Sequence, residues 1–430
     1  MNRLFKPLLL AVLNLAMAAA GLGLIMLNNA CASEISNASP ILLASADSPR
    51  FLPAPAISSP DSLISKALQD IRASRMDDAL KEVNRAIALR PDFKLAHLIR
   101  GDLLMARARP LRGLGAVAKA PNQPLDDLRD EARVRLMRYI DQPDPDFLPR
   151  QILQLAPNQK YALLADTSRA RLYLFENVDG VPRLKSDFYM TIGKNGTGKR
   201  IEGDKRTPMG VYQIAEQLPR AGLADLYGDG AFPLNYPNEW DQAQKRGGHG
   251  IWLHGVPSNT YSRPPRSSDG CVVVANPDLK ELTHWIKAGS TPVIITDRTD
   301  WVPRESWEQS RDDLLAQLYA WKNDWEAREP DRFLRHYSNA MINGENAGWA
   351  KDKRRNILEK EWIRIVLSDV GLFLYPGGDM AYTEFTQRYS SDKLSSLTSK
   401  RLYWRQEKGV WRVALEKAQD IPMSSNIAQR

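Results

Sequence analysis

The sequence predicts a multi-domain protein: a helical N-terminal region, a mostly-β central domain and an α+β C-terminal domain. Three observations carry this. A chain of 430 residues exceeds one ordinary hydrophobic core. The spacing of its apolar residues changes from three-and-four to two near Tyr161, and back to a helical spacing after about residue 304. Pro143, Pro145 and Pro149 cluster at the first change and mark a linker. The hydrophobic and charged fractions are ordinary for a globular protein. The formal net charge of +8 arises from 59 basic and 51 acidic residues spread along the chain. That balance suits a partner with acidic groups, such as cell-wall polymer or a membrane surface. No Arg/Lys cluster is interleaved with aromatics, so nucleic acid is not singled out.

The N-terminus reads as a signal peptide over 1–32. Arg3 and Lys6 precede an apolar run from Pro7 to Leu27, and Ala30-Cys31-Ala32 is a small-x-small cleavage site. An uncleaved anchor and lipidation at Cys31 are the alternatives. All three deliver the body of the protein across the cytoplasmic membrane, into the periplasm. Residues 33–60, rich in Ser, Pro and Ala, read as a flexible leader.

From Ser62 the pattern is helical. Leu63, Ile64, Leu68 and Ile71 form one set; Ala79, Leu80, Val83, Ala86, Ile87 and Leu89 form another, stopped by Pro91; Leu95 to Leu104 form a third. The run from Asp77 through Ala86 to Ala96 resembles a tetratricopeptide helix pair, of which about one and a half units are visible. The 61–150 region is therefore a surface for a protein partner or homodimer, or a helical prefix packed on the next domain.

The central domain, 159–298, is expected to be built from strands at Tyr161–Ala165, Arg171–Phe175, Phe188–Ile192, Val211–Ile214, Val272–Val274 and Pro292–Thr296. The C-terminal domain, 304–418, opens with a helix carrying Leu314, Leu315, Leu318, Trp321 and Trp325, followed by a second helix. Strands then follow at Trp362–Leu367, Gly371–Tyr375, Tyr382–Tyr389, Lys400–Trp404 and Gly409–Val413. Helices followed by antiparallel strands resemble the nuclear-transport-factor-like (NTF2-like) fold. That resemblance implies a pocket for a small ligand, lined by Trp404, Trp411 and Tyr389 unless these are core.

The chemistry concentrates in 247–274. Gly247-Gly-His-Gly-Ile-Trp-Leu-His-Gly255 reads as a strand ending at His254, and Ser267-Ser-Asp-Gly-Cys271 opens a second strand from a turn. Loss of Cys31 with the signal would leave Cys271 without a disulfide partner, hence either inert or a reactive thiol. A thiol needs a base, and His254 and His249 are the nearby candidates. Gly270 permits backbone conformations closed to other residues, so its amide and that of Cys271 form a candidate oxyanion site. Ser268 is a candidate for orienting the loop, or a turn serine. Lys205 and Arg206 are candidates for substrate carboxylates, or solvated turn residues; His249 is structural or substrate-facing. No cofactor and no metal are called for, since a second thiol and a close His pair are both missing. Gly193-x-x-x-x-Gly198-Lys199 nearly spells a phosphate-binding loop. Arg200 stands where Ser or Thr must be, and no helix follows, so nucleotide binding is set aside.

These motifs resemble the L,D-transpeptidase catalytic domain, also called YkuD. Its His-Gly is matched by His254-Gly255, its Ser/Thr-x-Gly-Cys by Ser268-Asp269-Gly270-Cys271, and its Gly-Asp-x-x-Thr-Pro-x-Gly-x-Tyr by Gly203 to Tyr212. Most members carry Arg two residues after the Cys; here that residue is Val273. The departure resembles a cell-shape branch with L,D-carboxypeptidase activity, some of whose members carry an NTF2-like C-terminal domain. The resemblance implies a Cys271 nucleophile, a His254 acid/base and a peptidoglycan stem peptide as substrate, with Gly255 and the Lys205–Arg206 turn near it. The alternative is a non-catalytic wall-associated scaffold.

Overall fold

The computed structural model describes residues 59–110, 113–115, 122–343 and 347–422. The signal, Cys31 and nearly all of the leader lie outside the described residues. Among the described residues no helix is long and apolar enough to cross a membrane.

Four helices come first: α1 (Pro60–Arg72), α2 (Met76–Leu89), α3 (Lys94–Ala106) and α4 (Asn122–Ile140). The start of α1 is fixed locally. Ser59 caps it by accepting from the Ser62 amide, and Pro60 occupies the first turn, where its missing N–H costs nothing. The apolar faces of α1–α3 share one core of Leu63, Ile64, Ala79, Val83, Leu95 and Ile99. That core also contains Tyr261 and Ala275 of the central domain, so the helices pack on it as a prefix.

The 143–149 stretch is more than a linker. β1 (Phe147–Pro149) pairs antiparallel with β13 (Trp301–Pro303), and β2 (Ile152–Gln154) forms the edge of the C-terminal sheet.

The central domain holds β3 (Tyr161–Asp166), β4 (Arg171–Val178), β5 (Val181–Gly193), β6 (Gly210–Gln213), β7 (Leu218–Pro219), β8 (Gly230–Pro233), α5 (Glu239–Ala243), β9 (Trp252–His254), β10 (Arg266–Ser268), β11 (Val272–Val274), α6 (Asn276–Thr283) and β12 (Pro292–Thr296). The strands run in the order β6-β12-β3-β4-β5-β11-β9-β8-β7, with β10 beside β5. Alternate residues divide between two faces. One face, with Leu163, Leu172, Leu174, Met190, Leu253, Val272 and Val274, closes the domain's own core. The other face has three zones. Ala162, Leu164, Tyr173 and Phe175 meet the C-terminal domain, Asp187 and Tyr189 meet the helices, and His254 and Cys271 share the third.

The C-terminal domain follows as α7 (Arg304–Glu326), α8 (Pro330–Leu334), α9 (Asn339–Asn343), α10 (Ala347–Leu358), β14 (Ile363–Leu374), β15 (Met380–Ser391), β16 (Ser395–Glu407) and β17 (Val410–Asp420). The two strands expected over 362–375 are one, β14, with a bulge between Ser368 and Gly371 where Asp369 takes φ 53°. Three helices follow α7 where one was expected. Trp307, Leu314, Leu318, Trp321 and Trp325 of α7 bury into a core with Leu372, Phe385 and Leu402. Tyr389 and Trp404 belong to that core, and Trp411 packs against it. The Trp404 indole donates to Thr383 Oγ1 at 3.1 Å, so Trp404 and Tyr389 are core residues and not the lining of a pocket.

Candidate active site

His254 and Cys271 stand on neighbouring strands that run parallel. Val273 is in register with His254, and Val272 with Leu253. Leu253, Val272 and Val274 point into the domain core, so His254, Val273 and Cys271 share the opposite face. Cys271 lies two residues before Val273, about 7 Å along the strand direction and about 5 Å across from the histidine's strand.

The imidazole is buried and held twice. Its Nδ1–H donates to the Gly255 carbonyl at 2.7 Å, which leaves Nε2 as the basic nitrogen. The Tyr227 ring meets it edge-on with centroids 5.1 Å apart, and the same tyrosine packs on Trp252 at 4.6 Å. Burial pushes His254 down to about 4, assisted by the Arg263 charge and opposed by the Gly255 bond. It is therefore a neutral base at neutral pH.

The turn after His254 is pinned by Asn276. Its amide oxygen accepts from Val256 at 3.1 Å and Asp229 at 3.2 Å, and its nitrogen donates to the Val256 carbonyl at 2.8 Å. Gly255 is required by this approach: a Cβ there would stand 2.1 Å from Asn276 Oδ1. Gly255 is thus a position that only glycine fills.

Cys271 is half-buried, and its Sγ donates to the Gly250 carbonyl at 3.3 Å. Burial pushes the thiol up. The Trp252 amide and the charges of Arg263 and Lys199 pull it down, while Asp269 adds to the rise. The resting pair is thus a neutral thiol with a neutral imidazole.

The turn before Cys271 is closed by Ser268, whose hydroxyl donates to the Cys271 carbonyl at 2.6 Å and accepts from the Gly270 amide at 3.2 Å. The Gly270 N–H, expected as an oxyanion donor, is therefore already engaged. Gly270 serves the turn through its conformation: φ is +127°, and a Cβ would meet the Arg206 carbonyl at 2.8 Å. Buried Thr207 joins the motifs, donating to the Gly270 carbonyl and accepting from the Gly193 amide, both at 2.9 Å.

The 199–207 loop is organised by Asp204. Burial opposes its ionisation, but the amides of Arg200, Arg206 and Ile201 and the Lys199 ammonium at 2.9 Å hold the carboxyl well below the usual range. Lys199, the lysine of the phosphate-loop look-alike, is spent on this pair. Arg206 donates to the Thr197 carbonyl at 2.9 Å, and Lys205 is an exposed turn residue with φ 56°. His249 projects into solvent, 3.9 Å from Glu202. Neither Lys205 nor His249 is drawn into the pair's surroundings by a bond.

Three contributors were not singled out from sequence: Tyr227, Asn276 and Arg263. Arg263 lies in the polar loop between the two motifs, and its charge acts on both the thiol and the imidazole. Only its place between His254 and Cys271 marked it.

The family model for the L,D-transpeptidase catalytic domain matches residues 160–295, which contain every group just described. The central domain is an L,D-transpeptidase (YkuD) domain. A second family model, the Cds6 C-terminal NTF2-like domain, matches 313–417. Bd1075 of Bdellovibrio bacteriovorus is similar at 28% identity and a TM-score of 0.58, over 65% of this chain and all of that one. The helical cell shape determining protein Pgp2 of Campylobacter jejuni shares the fold at 23% identity and a TM-score of 0.54, over 63% of this chain and 95% of that one. No curated protein sequence matches the chain. Within the L,D-transpeptidase domain, the His-Gly and Ser-x-Gly-Cys motifs are the two ends of one loop, Gly255 to Gly270. That loop lies partly under the N-terminal helices.

Proposed function

We propose that the protein is an exported cysteine enzyme that cleaves or transfers peptidoglycan stem peptides. The observation that supports this best is the shared face of His254 and Cys271, with Nδ1 locked so that Nε2 is the free base. Cys271 Sγ attacks the carbonyl carbon that joins the L-centre of a diamino acid to a terminal D-residue. As the S–C bond forms, the thiol proton passes to His254 Nε2. The Cys271 amide supports the negative oxygen. Collapse breaks the C–N bond, and His254 returns its proton to the leaving amine. Water resolves the thioester as trimming; an amine from a neighbouring stem resolves it as a crosslink. Because the resting thiol is protonated, proton transfer accompanies attack instead of preceding it.

Incubation with disaccharide tetrapeptide tests this. Released tripeptide means L,D-carboxypeptidase activity, and a dimeric muropeptide means L,D-transpeptidase activity. Neither product, together with iodoacetamide labelling of Cys271 that is equally slow in a His254→Ala variant, leaves the scaffold reading. The low histidine value carries a sign. His254 stays in its basic form down to about pH 4, so the acid limb of the rate profile falls near 4 and not near 6.5. The likeness to a cell shape determining protein supports a role in cell shape. The signal-like segment at 1–32 supports a periplasmic location, which cell fractionation checks. The NTF2-like domain is proposed to bind a small ligand, and a partner surface on the exposed side of the helices is proposed as well.

A further inference from the structure

We propose that Arg263 is the specificity residue of this site: its guanidinium receives the free terminal carboxylate of the residue that leaves, restricting the enzyme to peptide ends. This rests on the reading of Cys271 as the nucleophile.

The placement comes from the sheet. Thr191, Val273, His254 and Ala231 form one register row across β5, β11, β9 and β8. Their side chains share the face that bears Cys271. The Thr191 hydroxyl donates to the Arg263 carbonyl at 3.1 Å, and the Tyr189 hydroxyl donates to the same oxygen at 2.7 Å. Arg263 is thus fixed on the thiol's face, two strands from the imidazole. Its guanidinium donates to the Ser267 carbonyl, in the turn that leads to Cys271.

Of the described arginines around the site that lack a carboxylate partner, Arg206 and Arg266 are exposed and Arg263 is half-buried. Arg135 is paired with Asp61 and Glu131, Arg138 and Arg171 share Asp187, and Lys199 is paired with Asp204. Among the described residues Arg263 has no carboxylate within ion-pair distance. The acid that acts on it, Asp269, is held by Lys194 at 3.2 Å. A half-buried guanidinium with one carbonyl partner keeps most of its donors for a ligand, and its planar fork matches a carboxylate in two-point fashion. The leaving residue of a trimming reaction carries such a carboxylate. The C–N bond breaks, the amine departs with the proton from His254, and the carboxylate stays on Arg263 until the product diffuses away. Val273, in register with His254, is buried and apolar and cannot supply this charge.

The test compares disaccharide tetrapeptide having a free terminal carboxylate with the same peptide ending in a carboxamide. Wild type is expected to favour the acid. Arg263→Gln should lower kcat/KM on the acid about 10-fold to 100-fold more than on the amide, mainly through KM; Arg263→Lys should restore part of that difference. Equal losses on both peptides, or none, overturn the proposal, because an oxyanion or structural role does not distinguish them. A second readout needs no turnover: the rate of Cys271 alkylation by iodoacetate relative to iodoacetamide. That ratio should fall several-fold in Arg263→Gln. An unchanged ratio overturns the anion site. If wild type turns over neither peptide, the nucleophile reading fails by itself, and the alkylation ratio still decides Arg263.

Discussion

The L,D-transpeptidase domain meets its two neighbours through seams of opposite chemistry. Toward the C-terminal domain the contact is rings and hydrocarbon. Ala162, Leu164, Phe175, Trp240, Phe373, Tyr382 and Tyr403 form one buried cluster drawn from both domains. Trp240 stacks on Tyr403 with centroids 6.0 Å apart. Polar groups there close locally: Glu384 accepts from Gln213 at 2.6 Å and Tyr382 at 2.9 Å. Toward the helices the contact is charge. Buried Arg135 binds Glu131 and Asp61 and lies 3.9 Å above the Tyr189 ring, while Arg138 and Arg171 converge on Asp187. The two seams also differ in what they touch. Among the described residues, no hydrogen bond or ion pair runs from the apolar seam to the Gly255–Gly270 loop. From the charged seam, Glu131 holds Ser262 at 2.6 Å, Phe93 packs on Tyr261 at 4.7 Å, and Tyr189 holds Arg263. The helices are therefore part of the support of the Gly255–Gly270 loop, and the NTF2-like domain is a fused companion.

The strongest way to break this contrast is Arg135→Met. It strands two carboxylates in a closed seam and should cost about 3–5 kcal/mol in urea unfolding, with loss of activity below the transition. Replacing Arg135, Glu131 and Asp61 together by apolar residues should recover most of that stability. Full recovery of activity as well would mean that charge there is dispensable. Tyr403→Ala on the other seam should cost about 3 kcal/mol by leaving a cavity, yet leave kcat unchanged at a temperature where the protein stays folded. A fall in kcat would bring the C-terminal domain into the site. Asp204→Asn should cost about 2 kcal/mol at pH 7. The folded value of Asp204 is depressed, so its contribution is complete above the ordinary value of 3.8 and is lost as pH falls below it. The two proteins should therefore converge in thermal stability on acidification. Smallest is Ser262→Ala, at about 1 kcal/mol. Its informative readout is a drop in kcat larger than the stability change explains. Unchanged kinetics would detach the helices from the catalytic loop.

How much of this was legible follows from range. His254 and Cys271 were readable because the residues flanking each are local: a glycine beside a strand end needs no distant partner to be recognised. The strands of the central domain were readable for the same reason, since period-two patterning is a property of a short window. β1 and β2 were not. Each has three residues, and their partners lie about 150 and about 220 positions away, at β13 and β14. α4 was not named because its inward face carries Glu131 and Arg135, where an apolar stripe is the usual signal. Two strands were expected, ending at Leu367 and beginning at Gly371; the ladder runs on through this stretch as a bulge. Arg263 was missed because a loop arginine acquires meaning only when the acids around it are counted.

β2 has a further consequence. A protease cutting the backbone near Arg298 would produce two pieces, each holding part of the other's framework. The N-terminal piece would keep Ile152–Gln154 woven beside β14, with the Trp307 indole bonded to the Ile152 carbonyl at 2.8 Å. The nicked protein should migrate as one particle until denatured. Mutational loss of everything after Pro303 would expose the aromatic side of β3 and β4 to water, so the NTF2-like half is not a removable accessory.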